Sequence, residues 1–406
     1  MVKAHQVSEQ PGLPEGLAPG DPGYRRAVVA VLFAGIASFQ ALYATQALLP
    51  VFAADFNVDP ATAALTVSAT TGGLACAVIP VSVLSERFGR RRVMVTSALL
   101  ATVLGLLISM LPGIGFIIAV RLLQGLILAG VPAVAMAYVS EEIHQDHIGR
   151  VMGLYVAGTT IGGLMGRIIP SLLLEIFNWH IANFISATVA VICAIGTWWL
   201  LPQQRRFQPK KLSIAGELKA IKTHLGDFRI LGLCVMAFMF MGAFVSLYNY
   251  LGFRLTDKFG LSPGLAGFVF ILYLSGTWGS ARAGVWVKTV SRRQLIAIAT
   301  AVACLGLILV ALPSLIALVL GVLLFTASFF VAHSLSSSGV GLVAQHDRAE
   351  AASMYLFSYY MGSSILGWVS GFVFNGFGWA VLIPWLIGLS LIAGTCAIWG
   401  LKDAEH

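Results

Sequence analysis

The sequence has little charge: 10% of its 406 residues are Asp, Glu, Lys or Arg, against 58% that are hydrophobic. Soluble globular domains carry about 25% charged residues. A chain with a mean hydropathy of +0.88 cannot bury so much apolar surface in a water-soluble core, which excludes a soluble enzyme. Disordered proteins are excluded as well, because they need many more charges. The composition is that of a protein embedded in a membrane.

Several recognisable functional signatures are also missing. No G-x-x-x-x-G-K-[ST] loop occurs, so the chain is not expected to hydrolyse ATP. The five cysteines lie inside apolar stretches without CxxC spacing, which favours small packing residues over disulfides or a metal site. No Cys, His or acidic cluster has catalytic or metal-ligating spacing. We therefore predict that the protein is not an enzyme and needs no metal or cofactor.

Apolar runs of spanning length recur along nearly the whole chain, separated by short polar breaks. A transmembrane helix needs about 20 consecutive apolar residues. On that basis we predict spans at 27–50, 62–84, 92–111, 114–139, 149–173, 180–201, 228–252, 263–284, 294–312, 315–338, 350–374 and 378–400. The sequence thus indicates an all-α integral membrane fold of twelve transmembrane helices.

One polar break is longer than the others and divides the chain in two. Residues 202–227 are predicted to form a basic linker between six-helix bundles at 27–201 and 228–401, with an N-terminal segment at 1–26 and a tail at 402–406. Most of the 25 Lys and Arg residues fall on the termini, the linker and the other even-numbered loops. By the positive-inside rule, both termini and the linker are expected to face the cytoplasm. The basic run of the linker is either this topology signal or a site for acidic lipid head groups.

Short sequence patterns of the first half recur in the second half at a nearly constant spacing along the chain. This recurrence predicts two pseudo-symmetric bundles. The matched patterns are Phe39-x3-Tyr43 with Phe244-x3-Tyr248, Gly89-Arg90-Arg91 with Ser291-Arg292-Arg293, and Tyr155-x6-Gly162 with Tyr355-x6-Gly362. A parallel duplication of this kind places a binding site near the middle of the bilayer, between the halves.

Three motifs resemble signatures of the major facilitator superfamily. The segment SVLSERFGRRR at 82–92 resembles its loop 2–3 signature, with Glu86 at the acidic position and Ser82 in place of the first glycine. Arg121-x2-Gln124-Gly125 in the fourth span resembles its second signature. In the fifth span, Gly149-x8-Gly158-x3-Gly162-Gly163-x2-Gly166-Arg167 resembles the antiporter signature, although Gly163 stands at the proline position and Arg167 at the final glycine position.

Longer segments resemble the YnfM-like, or acriflavine-sensitivity, branch of drug:proton exporters. They are LYATQALLP (42–50), YVSEEIH (138–144), FNWHIA (177–182), FVSLYNYLGFRL (244–255), FFVAHSLSSS (329–338) and SMYLFSYYMGSSILG (353–367). The resemblance covers the chain after residue 26. It implies a multi-pass protein of the bacterial inner membrane that moves a small organic molecule by alternating access, coupled to protons.

The loop 2–3 segment is expected to act in gating, and its Glu86 is also expected to take part in transport or proton coupling. Glu86 lies near a helix end, where it can pair with an arginine and hold the two halves together, while Gly89 permits a tight turn before Arg90 and Arg91. The alternative is that the segment only anchors the topology of the chain.

Two arginines and one histidine lie deep inside predicted spans, where ionisable side chains are costly. Arg121 and Arg167 are expected to face the cavity and take part in transport or proton coupling; snorkelling to the interface is the alternative for both. His333 is either a protonation switch or a hydrogen-bonded packing residue. No acidic residue lies at the centre of a span, which favours a neutral, zwitterionic or anionic substrate over a dication.

Polar and aromatic residues inside the spans are expected either to line the substrate cavity or to pack between helices. They are Gln40, Tyr43 and Gln46 in the first span, Gln124 in the fourth, Tyr248 and Asn249 in the seventh, and Tyr359 and Tyr360 in the eleventh.

Two functions stay open at this stage. The first is a secondary active, proton-coupled exporter (antiporter) of a small organic molecule or drug. The second is a facilitator or importer of an anionic or zwitterionic metabolite. The expected partners are a small-molecule substrate, protons and membrane lipids, without nucleic acid, and the protein is expected to act as a monomer.

Overall fold

The computed structural model describes residues 15–207 and 222–402. Parts of the predicted N-terminal segment (1–26), linker (202–227) and tail (402–406) therefore lie outside the described residues. The N-terminal half contains α1 (Tyr24–Tyr43), α2 (Leu49–Asp55), α3 (Pro60–Phe88), α4 (Arg90–Ile108), α5 (Ile114–Leu128), α6 (Pro132–Glu142), α7 (Gln145–Leu173) and α8 (Trp179–Leu200). The C-terminal half contains α9 (Phe228–Phe259), α10 (Pro263–Gly267), α11 (Leu274–Trp286), α12 (Arg292–Ala311), α13 (Leu315–Val343), α14 (Arg348–Phe377) and α15 (Trp379–Gly400).

Eleven spans in the described part of the chain are long and apolar enough to cross a membrane. The remaining predicted span, the eleventh in chain order at 350–374, is the 30-residue helix α14. It is less apolar than the other spanning helices because serines and glycines recur along it. It packs along α3 and α9, between the two halves, where a helix needs less lipid-facing apolar surface. The all-α fold of two six-span bundles is confirmed.

Three of the spans are interrupted helices. The fourth span breaks between α5 and α6. Pro132, the first residue of α6, has no backbone N–H and so cannot continue the helical hydrogen bonds. The eighth passes through a 3₁₀ stretch, Phe268–Tyr273, between α10 and α11. The first breaks after Tyr43 and resumes through a 3₁₀ turn at Gln46–Leu48 and then α2. This last break contains neither proline nor glycine.

The two halves touch on the side of the bilayer opposite the termini. On this side the Glu175 carboxylate accepts a 2.7 Å hydrogen bond from the backbone N–H of Gly264. Nearby, Gly371 of α14 has no side chain, and a Cβ there would lie 2.6 Å from the Cα of Ala61 in α3. Nearer the middle of α3 and α14, Ser364 donates a 2.7 Å bond to the carbonyl of Ser68. The structure is therefore a state that is closed on the side opposite the termini.

Candidate functional site

A row of glycines on α7 brings this helix close to α1. A Cβ on any of the three would clash with backbone oxygens of α1, so only glycine permits the observed spacing. The contacts pair Gly158 with Leu32, Gly162 with Ile36 and Gly166 with Gln40. The glycines of the antiporter-like motif thus form a helix contact, and that contact sets the position of the next residue in the chain, Arg167.

Arg167 is a buried cation, only 2% exposed, near the surface where the halves meet. Its Nε–H donates to Gln46 Oε1 at 2.7 Å, and an Nη1–H donates to the carbonyl of Gly163 at 2.7 Å. The guanidinium carbon lies 3.9 Å from the ring centre of Tyr43 and 5.1 Å from that of Tyr273, within cation–π range. Among the ion pairs of the described residues, none involves Arg167. Arg167 does not snorkel to the membrane interface.

A chain of side-chain hydrogen bonds continues from Arg167 into the other half. Gln46 Nε2 donates to Asn249 Oδ1 at 2.7 Å. Gln46 is 2% exposed and Asn249 is 1% exposed, so water does not compete for either side chain in this state. The Asn249 Nδ2 group has no hydrogen-bond partner among the described residues. We call the Gln46–Asn249 pair the amide bridge; it joins the first span to α9 across the two halves.

Aromatic rings surround this network and extend into the C-terminal half. Phe244 and Phe329 stack with ring centres 4.2 Å apart, and Tyr248 bonds Thr326 through its hydroxyl at 2.8 Å. Tyr359 lies 5.2 Å from Tyr360 in an edge-to-face contact. We call this the central aromatic cluster; its members are Phe244, Tyr248, Phe270, Tyr273, Phe329, Phe330, Tyr355, Tyr359 and Tyr360, with Tyr43, which faces Tyr273 across the guanidinium of Arg167. Four predicted cavity residues thus meet here.

His333 lies against the central aromatic cluster. Its Nδ1 is 3.0 Å from the hydroxyl of Tyr355, and its ring centre is 4.7 Å from that of Tyr359. Both His333 and Tyr359 are partly exposed, whereas Tyr355 is buried. The histidine is therefore hydrogen-bonded, as its packing alternative requires, and it also borders the group of rings that a ligand would contact.

Arg121 occupies a different place, inside the N-terminal half. It is fully buried, and its guanidinium donates to the backbone carbonyls of Ala41, Leu42 and Thr66 at 2.5–2.7 Å. Two of these carbonyls belong to the last turn of α1, where the helix breaks and its carbonyls lose their intrahelical donors. Arg121 also donates to Gln124 Oε1 at 2.6 Å. It neither snorkels nor faces the aromatic cluster; it caps the broken end of α1.

Gln40 and Gln124 lie near Arg121 and not near Arg167. Gln40 Nε2 donates to the carbonyl of Ser186 at 2.6 Å, and Gln124 Nε2 donates to that of Ala101 at 2.7 Å. Both glutamines line a small enclosed cavity within the N-terminal half, together with Arg121. The structure thus separates the predicted polar residues into a set inside one bundle and a set between the bundles.

The loop 2–3 motif has the expected turn, because Gly89 has a φ of 93°, in the region that favours glycine. Arg90 Nε lies 3.0 Å from Glu141 Oε1, and Arg90 Nη2 lies 3.3 Å from Glu86 Oε1. Arg91 donates from Nε to the carbonyl of Leu201 at 2.8 Å. In this state Glu86 pairs within its own half, so its role in holding the two halves together stays a prediction for another state.

Sequence reasoning missed several members of the aromatic cluster. Tyr273 and Phe270 lie in the 3₁₀ stretch of the eighth span, where no polar or periodic signal marks them. Tyr355 and Phe244 were marked by the internal repeat, and Phe329 by its place four residues before His333. A search for every aromatic residue within one turn of a polar span residue would have found these three.

Comparison with known proteins agrees with this architecture. Residues 31–346 match the model of the Major Facilitator Superfamily. The chain is 37% identical to the inner membrane transport protein YnfM of Escherichia coli, over 93% of this chain and 91% of that protein. It is 34% identical to the uncharacterized MFS-type transporter YybF of Bacillus subtilis, over 92% and 93% respectively. A crystal structure of a bacterial homologue of the lysosomal transporter Spinster, inward-facing and unoccupied, superposes with a TM-score of 0.74 at 14% identity, over 94% of this chain and 95% of that one.

Proposed function

Because the chain belongs to the major facilitator superfamily and is a multi-pass transporter of the bacterial inner membrane, we propose that it exports a small organic molecule in exchange for protons. The observation that carries this proposal is the buried network of Arg167, Gln46 and Asn249 inside an aromatic cluster. The network lies between the two halves, and in alternating access the cargo binds there and contacts both halves.

The closed side of the structure fits one step of export. We infer from the positive-inside pattern that the termini and the linker at 202–227, between bundles at 27–201 and 228–401, face the cytoplasm. The hydrogen bonds and glycine contacts between the halves then close the periplasmic side. An exporter loads its cargo from the cytoplasm in this state, and an importer releases its cargo there, so the direction of transport is decided by the liposome test. The glycine contact of α7 with α1, built from the antiporter-like motif, agrees with exchange.

His333 is the group that we assign to proton coupling. A histidine's ordinary pKa lies near neutrality, so its charge can change in the physiological range. The side chain is partly exposed and borders the aromatic cluster, and its Nδ1 is hydrogen-bonded to the Tyr355 hydroxyl. Protonation of this ring would change the charge beside the cargo and alter the Tyr355 contact, which links proton binding to cargo binding.

The test is proton movement in liposomes that contain the purified protein. Compounds are first chosen from a panel of small aromatic acids and amides by their effect on the melting temperature. A chosen compound is then added outside liposomes that hold a pH-sensitive dye. We expect protons to move opposite to the compound, and His333→Gln to lose this response while keeping the thermal effect. His180→Gln changes a histidine whose Nδ1 lies 2.8 Å from the carbonyl of Ser109 within the N-terminal half; it is the matched control and should behave as the wild type.

The alternative function is a facilitator or importer of an anionic or zwitterionic metabolite. It is favoured by one observation: no carboxylate pairs with Arg167 among the described residues, which leaves its charge available to an anion. Compound uptake without any proton movement, in the same liposomes, would support this function and reject the exchange mechanism.

A further inference from the structure

The Arg167 guanidinium has an incomplete set of partners for a buried charge. In the described part of the chain its hydrogen bonds go to the amide oxygen of Gln46 and the backbone carbonyl of Gly163, and both acceptors are neutral. Burying a cation is costly unless a charge or several good hydrogen bonds compensate for the lost water. The facing rings of Tyr43 and Tyr273 compensate in part. An anion at this position would therefore bind more strongly than Gln46 does.

We propose that Arg167 is the subsite for an anionic group of the transported molecule, and that binding there opens the amide bridge. This inference rests on the proposed transport function and adds the substrate class and the event that couples binding to opening. The anion takes the place of Gln46 Oε1 at Arg167. The displaced glutamine then releases Asn249, and the two halves lose that contact.

The geometry of an amide makes the two steps inseparable. Oε1 and Nε2 of Gln46 belong to one rigid planar group, with Oε1 on Arg167 and Nε2 on Asn249, both at 2.7 Å. A rotation that removes Oε1 from Arg167 moves Nε2 as well. Asn249 has no second hydrogen bond from its Nδ2 group to hold the pair together, since that group is unpartnered among the described residues.

An anion should bind Arg167 more strongly than a neutral group of the same shape does. Hydrogen bonds between ionised groups are roughly twice as strong as those between neutral groups, and a carboxylate matches the fork of a guanidinium. A neutral amide offers only what Gln46 already provides, so it gains nothing by replacing Gln46. The rings of Tyr43, Phe270 and Tyr273 suit a flat apolar body attached to that charge.

Benzoate and benzamide form a matched pair of probes for this subsite, since they differ mainly in charge. The reporter of opening is Ala266→Cys in a background whose five native cysteines are changed to alanine. Ala266 lies on the closed side, where it is 6% exposed and lines the cleft with Gln46 and Gly252. The rate of reaction with a water-soluble maleimide is measured on the purified protein, which needs no proton gradient and is thus independent of the exchange mechanism.

We expect benzoate to raise the labelling rate and benzamide to leave it unchanged. In Arg167→Gln the benzoate effect should disappear. Asn249→Ala should raise the rate without any probe by about fivefold, the value of one net hydrogen bond of about 1 kcal/mol. Asn249→Asp keeps the acceptor for Gln46 and should label slowly. Asn183→Ala, a buried asparagine bonded only within the N-terminal half, is the matched control and should equal the wild type.

Two results would overturn the proposal. An equal response to benzoate and benzamide, including no response to either, would reject an anionic subsite at Arg167. An unchanged rate in Asn249→Ala, in protein that melts as the wild type does, would show that the amide bridge does not hold the halves together. Failure of proton exchange in liposomes, with both labelling results intact, would instead reject only the exchange mechanism.

Discussion

Arg121→Ala should destabilise the N-terminal half rather than simply abolish transport. The guanidinium donates to three backbone carbonyls, those of Ala41, Leu42 and Thr66, and to the side chain of Gln124. In the alanine variant these buried acceptors have no donor. An unsatisfied buried group costs about 1–3 kcal/mol, so the three carbonyls together cost about 3–9 kcal/mol.

This loss should be visible as a fall in melting temperature. A change of 1 kcal/mol shifts the melting temperature by about 2–4 °C in a unit of about 200 residues, so the lower bound corresponds to at least ~6 °C. Arg121→Lys should lie between the alanine variant and the wild type, because an ammonium has three donors but not the planar fork that reaches both α1 and α3. The measurement is thermal unfolding of purified protein in detergent, followed by intrinsic fluorescence.

A matched control is available in Arg282, which is exposed on α11 and lies 6.0 Å from the ring centre of Trp278. Arg282→Ala removes the same side chain and should melt within about 1 °C of the wild type, as surface changes usually do. If Arg121→Ala also melted within this range, the helix-capping role would be refuted, and Arg121 would have to be explained by transport alone.

Two further predictions concern packing and the linker. Gly162→Ala should lower stability by about 1–3 kcal/mol through overpacking of α7 against α1, whereas Gly153→Ala on the same helix meets no atom within 4 Å and should be neutral; thermal unfolding of the two variants separates them. The Glu142 carboxylate accepts hydrogen bonds from the backbone N–H groups of residues 205 and 206, at 2.9–3.0 Å. Glu142→Ala should therefore speed tryptic cleavage after Arg205 several-fold, while Asp146→Ala on the exposed surface should leave the cleavage rate unchanged.

The spans could be predicted from the sequence because the lipid bilayer imposes a length and a polarity on each of them. The prediction of 180–201 corresponds to a helix at Trp179–Leu200, and that of 294–312 to Arg292–Ala311. No comparable local rule marks the break after Tyr43 in the first span. That break depends on Arg121, which is distant in sequence and holds the freed carbonyls. A tertiary contact therefore overrides the local preference for a continuous helix.

The site was predictable as a set of residues but not as an arrangement. Gln40 and Gln46 are six residues apart, which on an ideal helix places them about 120° from each other. They therefore face different neighbours, and the sequence does not say which. In the structure Gln40 bonds the carbonyl of Ser186 in α8, while Gln46 bridges Arg167 and Asn249. Such choices follow from how helices pack, and a single sequence does not contain that information in readable form.

The two buried arginines differ in what their acceptors can do. Arg121 is bonded mostly to backbone carbonyls of its own half, and a backbone carbonyl cannot move away without unfolding the helix around it. Arg167 gives one of its bonds to the side chain of Gln46, which can rotate, and Gln46 in turn contacts the other half. A cation with fixed neutral partners stabilises the bundle that contains it. A cation with a movable partner at the boundary can exchange that partner for a ligand, and for this reason we propose cargo recognition for Arg167 and support of the first span for Arg121.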